Sequence, residues 1–341
     1  MSAELSPRFA CPEQARGIAF LHMGMPKTGS SAMQSQFMAN AAHLARQGIA
    51  FPFRAPEARS MQRGATLGNA PMLADYPRPR RFRRGYREAL DVLLAEACPN
   101  VLLSSEMFWY TSPTAFAQVV AHIRSHALHP AAILYLRAQT SYLPAIWFTD
   151  ILYAGESRSL SDYVLAQIDS GTLLYHARVA RLVALLGRDA VEVRLYDRRT
   201  LRGARTELDF AALLGIDTGC FEGAVADAVS NPTPDYEVIE RLRALPADVR
   251  LKQYRAVMRA HPDSSGLNST DPARKLRLPA SLHARVAAHV VRDNSALSRD
   301  YLAGTPLICP PAPQNEIHRL HPVGQPGPDA SPTRPKGSVD D

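Results

Sequence analysis

One short stretch of the chain concentrates residues that can hold an anion: Leu21-His22-Met23-Gly24-Met25-Pro26-Lys27-Thr28-Gly29-Ser30-Ser31. It follows a run of β-type residues and leads into one of helical periodicity. A loop in that place gathers free backbone N–H groups and the positive end of a helix dipole. Gly24, Gly29 and Ser31 fall in the register of the phosphate-loop pattern GxxxxGK[ST]. The lysine does not, because Ser30 stands in its slot and Lys27 lies three residues earlier, at the crest of the loop. An ATP or GTP enzyme needs the lysine in the later slot and an acidic strand end for magnesium. Asp197 is the candidate for that acid, while the strands near 101 and 131 run into Ser104-Ser105-Glu106 and Arg137. Lys27 also stands out by type. Lysine occurs only at 27, 252, 275 and 336, in a chain with 39 lysines and arginines together.

Three further groups have the right chemistry at a sheet edge. Arg137 closes an apolar run, and its guanidinium fork suits a phosphate dianion as well as it suits an ordinary ion pair. Glu106 follows Val101-Leu102-Leu103-Ser104-Ser105 and should emerge at the carboxyl edge, where it can take a hydroxyl proton or serve as a helix cap or buried pair. His22 is the rival base, and equally a hydrogen-bonded core histidine.

These residues need a sheet to carry them. Short β-rich runs lie at 17–23, 101–104, 131–136 and 191–195, with helix-like periodicity between them. The alternation predicts βαβ units and a mainly parallel sheet between helical layers. The clearest helices are expected over 31–46, 85–97, 113–126, 173–186 and 282–302, with weaker ones near 160–168, 208–214 and 236–245. Residues 54–87 hold nine arginines against Glu57 and Asp75, with Pro56, Pro71, Pro77 and Pro79, and read as a loop-like insertion or lid. Residues 305–341 are crowded with proline and read as a flexible tail, and residues 1–16 as an extension before a domain over 17–304.

Pro26-Lys27-Thr28-Gly29-Ser30-Ser31 resembles the 5′-phosphosulfate-binding loop of the sulfotransferases that use 3′-phosphoadenosine 5′-phosphosulfate (PAPS). Bacterial members are similar also in Leu102-Leu103-Ser104-Ser105-Glu106, Leu134-Tyr135-Leu136-Arg137, Tyr196-Asp197 and a terminal helix containing Asn294, so the resemblance spans roughly residues 17 to 304. It implies a three-layer α/β fold of the P-loop type and transfer of a sulfuryl group from PAPS to a hydroxyl, with no metal. Lys27 would then balance charge on the bridging oxygen and leaving phosphate. Pro26, Thr28, Gly29, Ser30 and Ser31 would surround the 5′-phosphate and sulfuryl oxygens. Arg137 and the stretch 138–148 would meet the 3′-phosphate, and Tyr196 would lie against adenine or simply belong to the core. The family expects a serine eight residues after this arginine, where Ala145 stands. Ser141 compensates if the helix begins near Thr140, which would also put Pro144 in its first turn. Arg274 and Lys275 are further candidates for the 3′-phosphate, or a solvated pair.

Composition narrows the classes left. Of 341 residues, 46% are hydrophobic and 21% charged, which excludes a wholly disordered or fibrous chain. The early charges Glu4, Arg8, Glu13 and Arg16, and the lack of a long apolar run, argue against a signal peptide or a membrane span. Cys11, Cys98, Cys220 and Cys309 lie far apart, as isolated thiols of a reducing compartment would, and the expected location is the cytoplasm. The net charge of +7 favours anionic ligands. With the basic insertion, and with Phe82 and Tyr86 able to stack on sugar rings, the expected acceptor is a carbohydrate or glycolipid, with peripheral contact to anionic surfaces. No base-reading module accompanies the arginines, so nucleic acid is not expected. A nucleotide kinase or NTPase, and a degenerate nucleotide-binding protein that has lost turnover, are the alternatives.

Overall fold

Alternate residues of the strands face opposite ways, and both faces are apolar. In β1 (Gly17–His22), Ile18 and Phe20 join one buried cluster while Ala19 and Leu21 join another. In β4 (Leu128–Leu136), Ala131, Ile133 and Tyr135 face the first cluster and Ala132, Leu134 and Leu136 the second. A strand buried on both sides belongs inside a parallel sheet covered by helices. The computed structural model, which describes residues 8–53, 68–70, 80–219, 221, 235–260 and 276–309, has that form. Five parallel strands run in the order β2-β3-β1-β4-β5, with β2 at Ile49–Ala50, β3 at Asn100–Ser104 and β5 at Val191–Leu195. The fold is α/β with three layers, as the alternation predicts.

The chain leaves β1 for one side of the sheet and later crosses to the other, so the carboxyl end of β1 lies at the point where strand order reverses. Open α/β sheets form their ligand crevice there. On one face, α1 (Ser30–Ala39), α2 (Ala41–Arg46) and α8 (Thr206–Leu214) contribute Met33, Phe37, Leu44, Phe210 and Leu213. The other face carries α3 (Arg80–Leu94), α4 (Pro113–Ser125), α5 (Gln139–Tyr153), α6 (Leu160–Asp169), α7 (His176–Leu186), α9 (Tyr236–Ala244) and α11 (Ala280–Tyr301). A further helix, α10 (Ala247–Ala260), packs on α5.

Several elements differ from the sequence expectations. The helix expected over 31–46 is two: the backbone leaves the helical region at Asn40, at φ −109° and ψ 20°, where both the backbone N–H and the side-chain amide donate to Gln36 O. The helix expected from 85 begins at Arg80, so the last part of the insertion over 54–87 is regular. Within it residues 68–70 are also described, with Asn69 buried and its side chain bonded to Leu102 O at 2.9 Å and to Ser104 N at 2.7 Å; its other residues before Arg80 lie outside the described residues. Pro144 is the sixth residue of α5, beyond the first turn, where it withholds the donor that Thr140 O would otherwise receive. Within the segment set apart as 1–16, Phe9 is buried with its ring 5.5 Å from that of Phe20, and Arg8 Nε meets Glu192 Oε2 at 2.6 Å. Arg274, Lys275 and residues 310–341 lie outside the described residues, as do the side chains of Phe82 and Tyr86.

Two buried polar sets lock the layers at the carboxyl edge. Asp209 on α8 accepts from Tyr135 Oη at 2.7 Å and from Arg194 through two bonds of 2.7 and 2.8 Å, joining β4, β5 and α8. The Asp209 carboxyl is held below its ordinary range by these donors despite its burial. On the neighbouring strands, Ser104 Oγ receives Gln34 Nε2 at 2.8 Å and pairs with His22 Nδ1 at 2.8 Å.

Candidate active site

The loop after β1 stays tied to β4 for its first half: Met23 N donates to Ile133 O at 3.0 Å and Met25 N to Tyr135 O at 3.1 Å. It then turns through two left-handed residues, Lys27 at φ 66° and Gly29 at φ 79°. Thr28 Oγ1 closes the turn on Met25 O at 2.6 Å. Gly29 is required both by its φ and by space, since a Cβ there would lie 2.5 Å from Thr206 Oγ1 and 3.3 Å from the Tyr196 ring. Thr206, the first residue of α8, donates to Thr28 O at 3.3 Å and fixes the loop from the far side. Helix α1 starts immediately afterwards with no side-chain cap and no acidic residue in its first turn. Its first N–H groups lack intrahelical partners and point toward the crest of the loop.

Charged side chains converge on that crest. Glu106 opens a 3₁₀ turn over Glu106–Tyr110, whose start is capped by Ser105 Oγ accepting from Met107 N at 3.1 Å. The Glu106 carboxylate accepts a hydrogen bond from Ser30 Oγ. Burial raises its pKa to about 7, against the pull of the Lys27 ammonium. Lys27 is itself lowered by burial, with Glu106 and Asp150 drawing it back up and Arg137 lowering it further. A carboxyl half-protonated near neutral pH beside a partly desolvated lysine can exchange a proton with a hydroxyl and stabilise charge that develops next to it.

Arg137 leaves β4 on the same edge. Its Nη1 donates to Lys27 O at 2.9 Å and its Nε to Ser141 Oγ at 3.2 Å, and its guanidinium lies 5.7 Å from the centre of the Tyr196 ring. Ser141 in turn donates to Ala138 O at 2.9 Å, in the first turn of α5. Residues 27, 137, 141 and 196, from three separate stretches of sequence, thus form one wall around the loop. Ala145 lies one turn further along α5, where its carbonyl accepts from Thr149 Oγ1 at 3.0 Å.

His22 is placed differently. It is fully buried, with its ring 5.2 Å from Phe210 and 6.3 Å from Tyr135, on the face away from Leu21 and Met23. Burial lowers its pKa to about 3, so the ring is neutral at physiological pH, and Nε2 has no hydrogen-bond partner.

The structure adds residues that the sequence did not single out. Asp150 is the sole charged residue in Gln139–Tyr153, a signal that was available in the sequence. Tyr163 donates to it at 2.6 Å, and burial raises its pKa. Tyr110 and Tyr142 hydrogen-bond to each other, and both feel the charge of neighbouring groups that include Glu106, for Tyr110, and Tyr175, for Tyr142. The Arg178 guanidinium stacks 4.2 Å from the centre of the Trp109 ring and donates to Trp109 O. Of the rings gathered here, Tyr110 is 53% exposed and Trp109 and Tyr142 are buried. Those residues lie far apart in sequence and meet only because α5, α6 and α7 pack on one face.

The donor set suits a nucleotide carrying separate anionic groups. Lys27 and the uncapped start of α1 face one, Arg137 with Ser141 flanks a second position, and the Tyr196 ring offers an apolar surface between Arg137 and Gly29. Asp197, the one candidate for a magnesium carboxylate, is gripped by Arg199 through contacts of 3.0 and 2.5 Å. No family model matches the chain, and no curated protein does. Among solved structures, the chain is similar to a sulfotransferase from Alicyclobacillus acidocaldarius, over 82% of this chain and 94% of that one, at 13% identity and a TM-score of 0.42.

Proposed function

We propose that the chain is a sulfotransferase that moves a sulfuryl group from PAPS to a hydroxyl of a carbohydrate or glycolipid. The observation that carries this reading is the meeting of Lys27, at the left-handed crest of the loop, with Glu106, whose pKa stands near 7, with Arg137 just past the end of β4, and with Ser141 in the first turn of α5. When bound, PAPS supplies an activated sulfuryl group. The chain's own task is then to position two oxygens in line and to offset the charge that builds on the one that leaves.

Lys27 provides the positive charge, and Thr28, Gly29, Ser30 and Ser31 supply donors at the start of α1, with Pro26 shaping the approach. Arg137 and Ser141 hold the 3′-phosphate, and Tyr196 lies along the adenine. Glu106 accepts the proton of the acceptor hydroxyl at its carboxylate. Ser30 donates to that carboxylate and so orients it. We assign no proton transfer to His22, because a ring with no exposed surface and a pKa near 3 can neither reach a hydroxyl nor hold its proton. Tyr110, 53% exposed and within reach of the Glu106 charge, suits the face of a sugar ring, which supports the acceptor class.

Incubation with PAPS and a panel of mono- and oligosaccharides, followed by release of 3′-phosphoadenosine 5′-phosphate, tests the proposal. Sugar-dependent release that disappears in Lys27→Ala is expected. Magnesium-dependent ATP turnover in place of it would favour the NTPase alternative.

A further inference from the structure

At the amino edge of the sheet, far from Lys27, a second group of side chains converges. His122 and His126 stand four residues apart at the end of α4, hence on one helical face. Both aim Nε2 at the same oxygen of Asp91 on α3, at 2.8 and 2.7 Å, with their rings 5.2 Å apart. The three ligand atoms all lie within 4.8 Å of one another. We propose that Asp91, His122 and His126 form a binding site for a zinc-class divalent transition cation that clips α3 to α4.

The donor set argues for the class of ion. Two imidazoles and one carboxylate suit zinc and its neighbours, whereas magnesium and calcium prefer oxygen alone. Zinc holds such atoms at about 2.0–2.2 Å, which requires the rings and carboxylate to part slightly from their hydrogen-bonded spacing. Asp91, with its side chain 46% exposed, has room to swing, and its exposed side leaves a position for water. The surroundings favour a cation as well. Helices α3 and α4 both end here, so their negative dipole ends face the site. Arg16 already pins those ends, donating to Leu94 O at 2.7 Å, Cys98 O at 3.4 Å and His126 O at 3.1 Å. The backbone on which the ligands stand is therefore fixed before an ion arrives, which lowers the cost of binding.

The consequence falls on α3. Its first two turns carry Arg80, Arg81, Arg83, Arg84 and Arg87 next to the basic stretch that precedes it. A metal clip near its other end anchors this arginine-rich helix to the sheet layer. The role is structural, because the site and the nucleotide loop occupy opposite edges of the sheet.

The untagged full-length chain, stripped with a chelator and titrated with zinc and separately with magnesium, gives the test. One equivalent of zinc should bind and raise the melting midpoint by a few degrees, and magnesium should do neither. Zinc affinity should fall at least on the order of tenfold to a hundredfold in His126→Gln, the loss already typical when an outer partner of a metal ligand is removed. It should fall further in the double variant His122→Ala/His126→Ala. Cobalt(II) provides a second readout, through visible absorption that appears in the wild type and is lost in His126→Gln. Absence of zinc binding by the wild type, or binding that His126→Gln leaves unchanged, overturns the proposal.

Discussion

Two arginines at opposite edges of the sheet are used in opposite ways. Arg16, at the amino edge, places its guanidinium on carbonyls at the ends of α3 and α4, those of Leu94 and His126, and on that of Cys98 in the bend before β3. Arg137, at the carboxyl edge, bonds among the described residues a loop carbonyl and a serine, under a tyrosine ring and beside Lys27. At the first edge every donor of the arginine used in this way meets a carbonyl of the chain itself. In the second, cations crowd together, a carboxyl stands near neutrality and a helix begins without a cap, so the charge there is arranged for something that the chain does not itself contain.

Substitutions at the two edges should therefore fail in different ways. The largest effect is expected from Glu106→Gln, which should lower sulfuryl-transfer turnover by about 10²–10⁴-fold with little change in nucleotide affinity. Because the pKa of Glu106 is raised, its carboxylate gains ground as pH rises, so turnover in the wild type should climb as pH passes through about 7. In the glutamine variant that limb should vanish. An equal loss of affinity and turnover would make Glu106 part of the framework. Arg137→Ala should weaken binding of 3′-phosphoadenosine 5′-phosphate by about ten- to a hundredfold, as expected for a charge-assisted pair, while leaving the unfolding midpoint nearly in place. Arg16→Ala should do the reverse, lowering stability in urea by about 1–3 kcal/mol with nucleotide affinity unchanged.

The smallest effect belongs to His22, buried at the carboxyl end of β1. Its folded pKa lies near 3, below the 6.5 of the unfolded chain, so the native state refuses a proton that the unfolded state accepts. No stability is lost above pH 6.5. Below it, stability declines, by about 1.4 kcal/mol at one pH unit lower. Urea unfolding between pH 7 and 5 should show a slope that His22→Asn makes shallower; identical slopes would place a proton on the buried ring.

How much of this was legible in the sequence differs by region, and the reason is physical. The strands at 17–22, 101–104 and 131–136 are apolar on both faces and announce themselves. Ile49–Ala50 is too short to carry a period, and Ala247–Ala260 hides its packed face among arginines. The loop around Lys27 is contiguous and local, so its chemistry could be read directly. Asp150, Tyr142 and Arg178 were not legible as neighbours, because the helices that bring them together are set by burial of other residues. Asn40 shows the same limit on a small scale: the 3.6-residue period runs through it, yet the backbone there turns to φ −109° and ψ 20° and divides the helix.

The central claim is that Lys27 and Arg137 serve two separate anionic groups of one nucleotide. Calorimetry with 3′-phosphoadenosine 5′-phosphate and with ATP–Mg, on the wild type and on Lys27→Ala, tests it most directly. Tight binding of the bisphosphate at one site per chain is expected, weakened in Lys27→Ala, with ATP–Mg bound far less well. Preference for ATP–Mg, or a bisphosphate affinity indifferent to Lys27, would contradict it.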